Sequence, residues 1–212
     1  KKTQYSKGFV KTIRNFKSCF IKYQESNNVV LNYDSINLDF YDDFVKFFTD
    51  KGYSINTIGR LIKQLKIIMH AARDHGLHNN TEIDRRKFKA MTKKVHSIYL
   101  SEAELDAMYQ LEPSNLTRIQ DEARDIFLVG CYTAQRFSDY SRIKPKHIKE
   151  NFIELIQQKT GEKVIIPIRP ELRAILQKYD YNLPKTYEQK VNSRIKEVGK
   201  IAGIDELIVA ES

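Results

Sequence analysis

The sequence predicts a mainly α chain, a helical first domain followed by an α+β second domain built around one small β-hairpin. Three observations carry that expectation. Apolar residues recur at spacings of three and four through most of the chain, as amphipathic helices require. One stretch, Phe152 to Ile168, reads instead as two strands around Thr160-Gly161-Glu162. Charge is also divided unevenly. Residues 1–97 hold 19 basic and 9 acidic side chains, a net of +10, whereas residues 98–212 hold 17 and 18, a net of −1.

The first helix is expected from Lys7 to Tyr23, with Phe9, Ile13, Phe16, Phe20 and Tyr23 on its apolar face and Lys7, Lys11, Arg14 and Lys22 on another. A second covers Phe40 to Asp50, with Phe44, Phe47 and Phe48 inward. The third carries the stripe Ile58, Leu61, Ile62, Leu65, Ile68, Met69 and Ala72, with Ser54 as N-cap and Gly76 as stop. Arg60, Lys63, Lys66 and Arg73 lie off that stripe. These helices define a first domain over residues 1–84. Residues 85–94 contain six cations and no acid, so 85–98 reads as a basic interdomain linker.

The second domain, residues 99–212, opens on Ser101-Glu102-Ala103-Glu104, a capping box starting a helix that runs through Leu111. Another helix spans Arg118 to Tyr132, and a shorter one begins near Arg136. The strands of the hairpin are expected at Phe152 to Gln158 and Lys163 to Ile168, followed by helices from Pro170 to Tyr179 and from Tyr187 to Ala202.

A hydrophobic fraction of 41% excludes a disordered chain. No apolar run approaches the roughly 18–20 residues that cross a bilayer, and the N-terminus lacks a signal-peptide core, so no membrane and a cytoplasmic location are expected. Cys19 and Cys131 sit in apolar helical patterns and read as buried free thiols. His75 and His78 lie close together without further ligands, so no metal is expected. The basic first half fits a polyanion-binding surface, the plainer alternative being a solvated coat of lysines. Its candidate contacts to duplex DNA are Lys7, Lys11, Arg14, Arg60, Lys63, Lys66, Arg73, Arg85, Arg86 and Lys87.

The second half carries a resemblance. Tyr99-Leu100-Ser101-Glu102-Ala103-Glu104-Leu105 resembles the opening of the catalytic domain of the tyrosine recombinases, the phage-integrase family. The stretch from Asp125 through Gly130-Cys131-Tyr132-Thr133-Ala134-Gln135-Arg136-Phe137-Ser138-Asp139 resembles that family's first active-site box, an arginine after a tight turn with an acid three residues on. Gln158-Lys159-Thr160-Gly161, continuing to Ile166-Pro167-Ile168, is similar to the hairpin with the active-site lysine. Asn192, Ile195-Lys196 and Ala202-Gly203-Ile204 fit the helix that follows. The matches keep the family's order over about residues 99–204. The first half resembles the family's core-binding domain in pattern rather than motif. Ala134 departs from it, standing where glycine is usual.

The resemblance implies a site-specific recombinase or integrase of a mobile genetic element. Such an enzyme cleaves and rejoins duplex DNA through a 3′-phosphotyrosine and a free 5′-hydroxyl, without a cofactor or metal. Arg136 would offer its planar, permanently charged fork to the phosphate, the competing reading being a structural ion pair with Asp139. Asp139 would orient, and Lys159 would protonate the departing 5′ oxygen, with Lys163 across the turn as its competitor. The family's His-x-x-Arg box and nucleophilic tyrosine normally follow the helix ending near Gly203. His70-Ala71-Ala72-Arg73, Tyr181 and Tyr187 all come too early. The chain is therefore expected to be incomplete at its C-terminus and monomeric, and its parent tetrameric on DNA. Two other readings stand beside this one: a truncated, inactive homologue that only binds DNA, and a basic helical module for protein or RNA. The latter lacks an RNP-like strand, a GXXG loop or a helical repeat.

Overall fold

The computed structural model describes residues 5–95 and 99–204. The chain divides into two compact units, Lys1–Val95 and His96–Ser212. Among the described residues there are eight α-helices and one two-stranded antiparallel sheet, the mainly α architecture with a small hairpin that the sequence predicts.

The first unit contains α1 (Lys7–Asn27), α2 (Leu38–Asp50) and α3 (Ile55–Asp74). Each begins where a short polar side chain takes up a free amide. Ser6 accepts from the Phe9 N–H, Asn37 from that of Phe40 and Ser54 from that of Thr57. Each such cap stabilises its helix by about 1 kcal/mol. Asn37 explains why α2 starts two residues before the expected Phe40. α1 continues past Tyr23 until Asn28 turns left-handed at φ 51°, a conformation asparagine tolerates. Phe44, Phe48 and Ile62 are fully buried at the centre of the core. Tyr23 meets Phe40 and Phe47 edge-on at centroid distances of 5.6 and 5.2 Å. Phe47 itself stays half-buried, and the inward face of α2 is Phe40, Tyr41, Phe44 and Phe48.

The chain after α3 remains part of this core. Ile83, in a single 3-10 turn, is fully buried, and so is Phe88, whose ring packs 5.0 Å from that of Tyr41. Phe88 thus fixes the middle of the basic stretch 85–94 to the first unit.

The second unit contains α4 (Glu102–Tyr109), α5 (Arg118–Thr133), α6 (Phe137–Tyr140), β1 (Phe152–Ile156), β2 (Lys163–Pro167), α7 (Pro170–Lys178) and α8 (Glu188–Ile201). The capping box at Ser101 and Glu104 is formed, and Thr117 and Gln120 form a second one at α5. α4 stops at Tyr109, two residues short of the expected Leu111. Leu128 and Val129 of α5 are fully buried with Leu172 and Leu176 of α7, Val198 of α8 and Ile153 of β1. In the hairpin Ile153 pairs with Ile166 and Ile156 with Lys163. The strands are shorter than expected because Gln157 opens the turn. Its N–H donates to the Glu162 carbonyl and its own carbonyl accepts from Gly161, which sits at φ 75°.

α5 is locked to α7 by a buried charge network. Arg124 donates to Asp121 and Asp125 at 2.7 and 2.8 Å, and Lys178 reaches both carboxylates at 2.6 Å. The remaining oxygen capacity of Asp125 is filled by the Tyr179 hydroxyl at 2.8 Å. Buried charges persist only when paired in this way. The network steadies the helix whose C-terminus leads into the candidate site.

Candidate active site and nucleic-acid surface

Arg136 follows the end of α5. The turn that presents it is made by Ala134, at φ 52° and ψ 27°, the left-handed conformation in which glycine is usual. Arg136 then takes extended backbone angles as N-cap of the short α6, with its side chain about half exposed. α6 in turn rests on α5 through Gly130, where a Cβ would come within 2.7 Å of the Tyr140 ring.

Asp139, three residues on, is fully buried. Its Oδ1 accepts hydrogen bonds from the Gln158 amide at 2.7 Å and from Arg142 Nη2 at 3.0 Å. Arg142 also donates from Nε to the Ser138 carbonyl and from Nη2 to that of Ile156. Oδ2 of Asp139 has no hydrogen-bond partner among the described residues, and Arg136 Nη1 lies 3.9 Å from it. Arg136 is therefore near the acid without being consumed by it, which leaves its outward edge available to an anion.

The hairpin turn comes to the same place through Gln157. Its Oε1 accepts from Arg136 Nη1 at 3.5 Å and from the Thr160 hydroxyl at 2.8 Å, and its Nε2 donates to Gln135 Oε1 at 2.7 Å. Lys159 stands exposed on this turn between Gln157 and Thr160 and forms no ion pair among the described residues. Its competitor Lys163 is held on β2 by Glu154 at 2.9 Å. Arg136, Asp139 and the Lys159 turn are thus brought together. Gln135, Gln157 and Arg142 join them, and the sequence reading did not single these out. Gln157 and Arg142 lie outside the motifs, Gln135 is only a neighbour of Arg136 within its box, and their partners lie up to 22 residues away.

Beside Arg136 a cavity of about 540 Å³ is lined by Phe127, Cys131, Phe137, Glu188 and Asn192. Burial pushes the Cys131 thiol up to about 11 and the Tyr132 and Tyr140 hydroxyls up to about 12, so all three are protonated near neutrality. Cys19 and Cys131 are free thiols, and no cluster of metal-binding side chains occurs among the described residues.

In the first unit Lys7, Lys11, Arg14, Arg60, Lys63, Arg86 and Lys87 are exposed. Three other candidates are engaged in the fold. Lys66 donates to the Phe88 carbonyl at 2.9 Å, Arg73 pairs with Asp84 at 2.6 Å and Arg85 with Glu82 at 2.7 Å. The Arg73 bond holds the Asp84 carboxyl below its usual range. The exposed residues of α2 are mostly acidic, Asp39, Asp42, Asp43 and Asp50, so most exposed cations of this unit stand on α1, α3 and the 85–94 stretch.

No protein-family model matches the chain, and no curated protein is significantly similar to it in sequence. Solved structures do share its fold. A lambda integrase (75-356) dimer bound to a COC' core site superposes with a TM-score of 0.71 at 18% identity, over 96% of this chain and 77% of that one. A lambda integrase tetramer bound to a Holliday junction gives 0.70 at 18% identity, over 96% and 62%. The Tn1549 transposon integrase (aa 82-397) in complex with circular intermediate DNA gives 0.54 at 18% identity, over 74% and 55%. The chain has the fold of the tyrosine recombinases. It spans less than two thirds of the length of the last two proteins. Among the described residues no helix is long and apolar enough to cross a membrane.

Proposed function

We propose that this chain is the DNA-gripping and phosphate-holding part of a site-specific tyrosine recombinase. The observation that carries the reading is the junction of Arg136, Asp139 and the Lys159 turn on this fold. In the proposed reaction a tyrosine hydroxyl gives up its proton to solvent as its oxygen attacks a backbone phosphorus, the new O–P bond forms, and the bond to the 5′ oxygen breaks. Arg136 takes the non-bridging oxygens, whose charge grows in the pentacoordinate state. Lys159 delivers a proton to the departing 5′ oxygen, a role its ammonium, in no ion pair among the described residues, suits better than that of Lys163. Asp139 touches no substrate and holds α6 against the turn. The first unit grips the duplex through Lys7, Lys11, Arg14, Arg60 and Lys63, and the complete enzyme works as a tetramer on two duplexes.

Replacing Arg136 with alanine in the full-length protein tests the reading. Cleavage of a duplex carrying the recombination site should disappear while affinity for random duplex barely changes. Normal cleavage by that variant would overturn the assignment. In the 212-residue chain, reversing Lys11, Arg14, Arg60 and Lys63 together should weaken binding to all duplex sequences alike.

A further inference from the structure

By composition, residues 85–94 are a basic linker, yet their backbone is clasped to α3 at several points and to α2 at one. The Phe88 carbonyl accepts from Lys66 Nζ and the Lys89 carbonyl from the Tyr41 hydroxyl, both at 2.9 Å. Asn56 grips Lys93 twice, its Oδ1 accepting from the Lys93 amide at 2.8 Å and its Nδ2 donating to the Lys93 carbonyl at 2.9 Å. Between these clasps the Met91 backbone passes so close to α3 that a Cβ on Gly59 would overlap its carbonyl. Only glycine leaves that room.

Asn56, Gly59, Lys63 and Lys66 follow one another at helical spacings of three and four and share one stripe of α3. The segment meets Lys66 at residue 88, Gly59 at residue 91 and Asn56 at residue 93, so it runs antiparallel to the helix, past Lys63. Its side chains Arg86, Lys87, Lys89, Lys93 and Lys94 are exposed and form no ion pair among the described residues. Ordering a free linker on a ligand costs about 1–2 kcal/mol per residue, and here the fold has already met that cost. A row of cations fixed along one backbone, through the turn at Arg86 and Lys87 and on past Met91, with no acid among them, matches a repeating anion rather than a single one.

We propose that Arg86–Lys94 is a preformed edge of the first unit that contacts successive phosphates of duplex DNA, continuous with Lys63, and that Asn56 and Gly59 are the positioning residues that set it. The inference rests on the DNA-binding reading above and adds to it Lys89, Lys93 and Lys94 as phosphate contacts.

The test is fluorescence anisotropy of the full chain with a labelled random duplex across a salt titration. Changing Lys89, Lys93 and Lys94 together to glutamine should flatten the slope of log affinity against log salt by about two to three. Asn56→Ala keeps every cation, so it should weaken binding several-fold and flatten the same slope, with thermal unfolding little changed. Gly59→Ala should do likewise, and if it fails to fold, Asn56→Ala still decides. A parent that binds steeply while the triple variant or Asn56→Ala binds identically would overturn the inference alone. A parent with no salt-dependent binding would remove the DNA reading itself, and this inference with it.

Discussion

Asp139 Oδ1 accepts the Gln158 amide at 2.7 Å, which pins the short helix after Arg136 to the turn that bears Lys159. The same oxygen accepts from Arg142, whose guanidinium also holds the Ile156 carbonyl at the end of β1. Removing the carboxylate would strand a part-buried amide and part of a guanidinium together. Asp139→Ala is expected to cost about 2–4 kcal/mol, read as a lowered midpoint in denaturant. Asp139→Asn keeps an acceptor for the Gln158 amide and should cost less. A midpoint for Asp139→Ala equal to the parent's would show that the pin carries no stability.

Ala134 holds a left-handed backbone, φ 52°, at the turn into Arg136, and its side chain is exposed. A Cβ in that conformation costs roughly 1–2 kcal/mol, partly offset by the greater unfolded freedom that glycine brings. Ala134→Gly should therefore raise stability by about 0.5–1 kcal/mol in chemical denaturation without disturbing Arg136. A loss of stability would mean that the turn is relaxed as it stands.

The features that were legible in the sequence are those set by neighbours along the chain. Ser54 and Ser101 cap helices through bonds only three residues long, and the apolar stripe of α3 is a matter of period. The fates of Lys66 and Arg73 were not legible, because the groups that capture them, the Phe88 carbonyl and Asp84, lie 22 and 11 residues further along the chain. Phe88, one aromatic among six cations, was the local sign that residues 85–94 have a buried anchor. At the candidate site Arg136 and Lys159 stood in motifs, whereas Gln157 owes its place to Gln135 and Arg136 across the fold.

His147 gives the second unit a mild acid sensitivity. It closes the 3-10 turn before β1, where its Nδ1 accepts from the Lys144 amide at 3.2 Å. Burial, reinforced by Lys146, Arg142 and Lys144, lowers its pKa from the usual 6.5. The folded state thus favours the neutral ring. The stability this contributes is complete above about pH 6.5 and is lost as pH falls through the lowered folded value. His147→Gln should melt below the parent near pH 8, and the gap should close toward about pH 5. A gap that widened on acidification would reverse the sign.

Gln157 should govern how freely Arg136 meets a phosphate. Its amide oxygen is shared by Arg136 and Thr160, and its nitrogen is spent on Gln135, so the side chain is fixed from three sides. A neutral oxygen can hold a guanidinium lightly and release it to a stronger anion, whereas a carboxylate in the same place would compete with the phosphate. Gln157→Ala should therefore slow single-turnover cleavage by the full-length protein by about tenfold, through lost positioning alone. Gln157→Glu should slow it further, while random-duplex affinity stays close to that of the parent in both. The ordering is the informative part. If Gln157→Glu cleaves as fast as Gln157→Ala or faster, Arg136 does not reach the phosphate from the position it holds beside this turn.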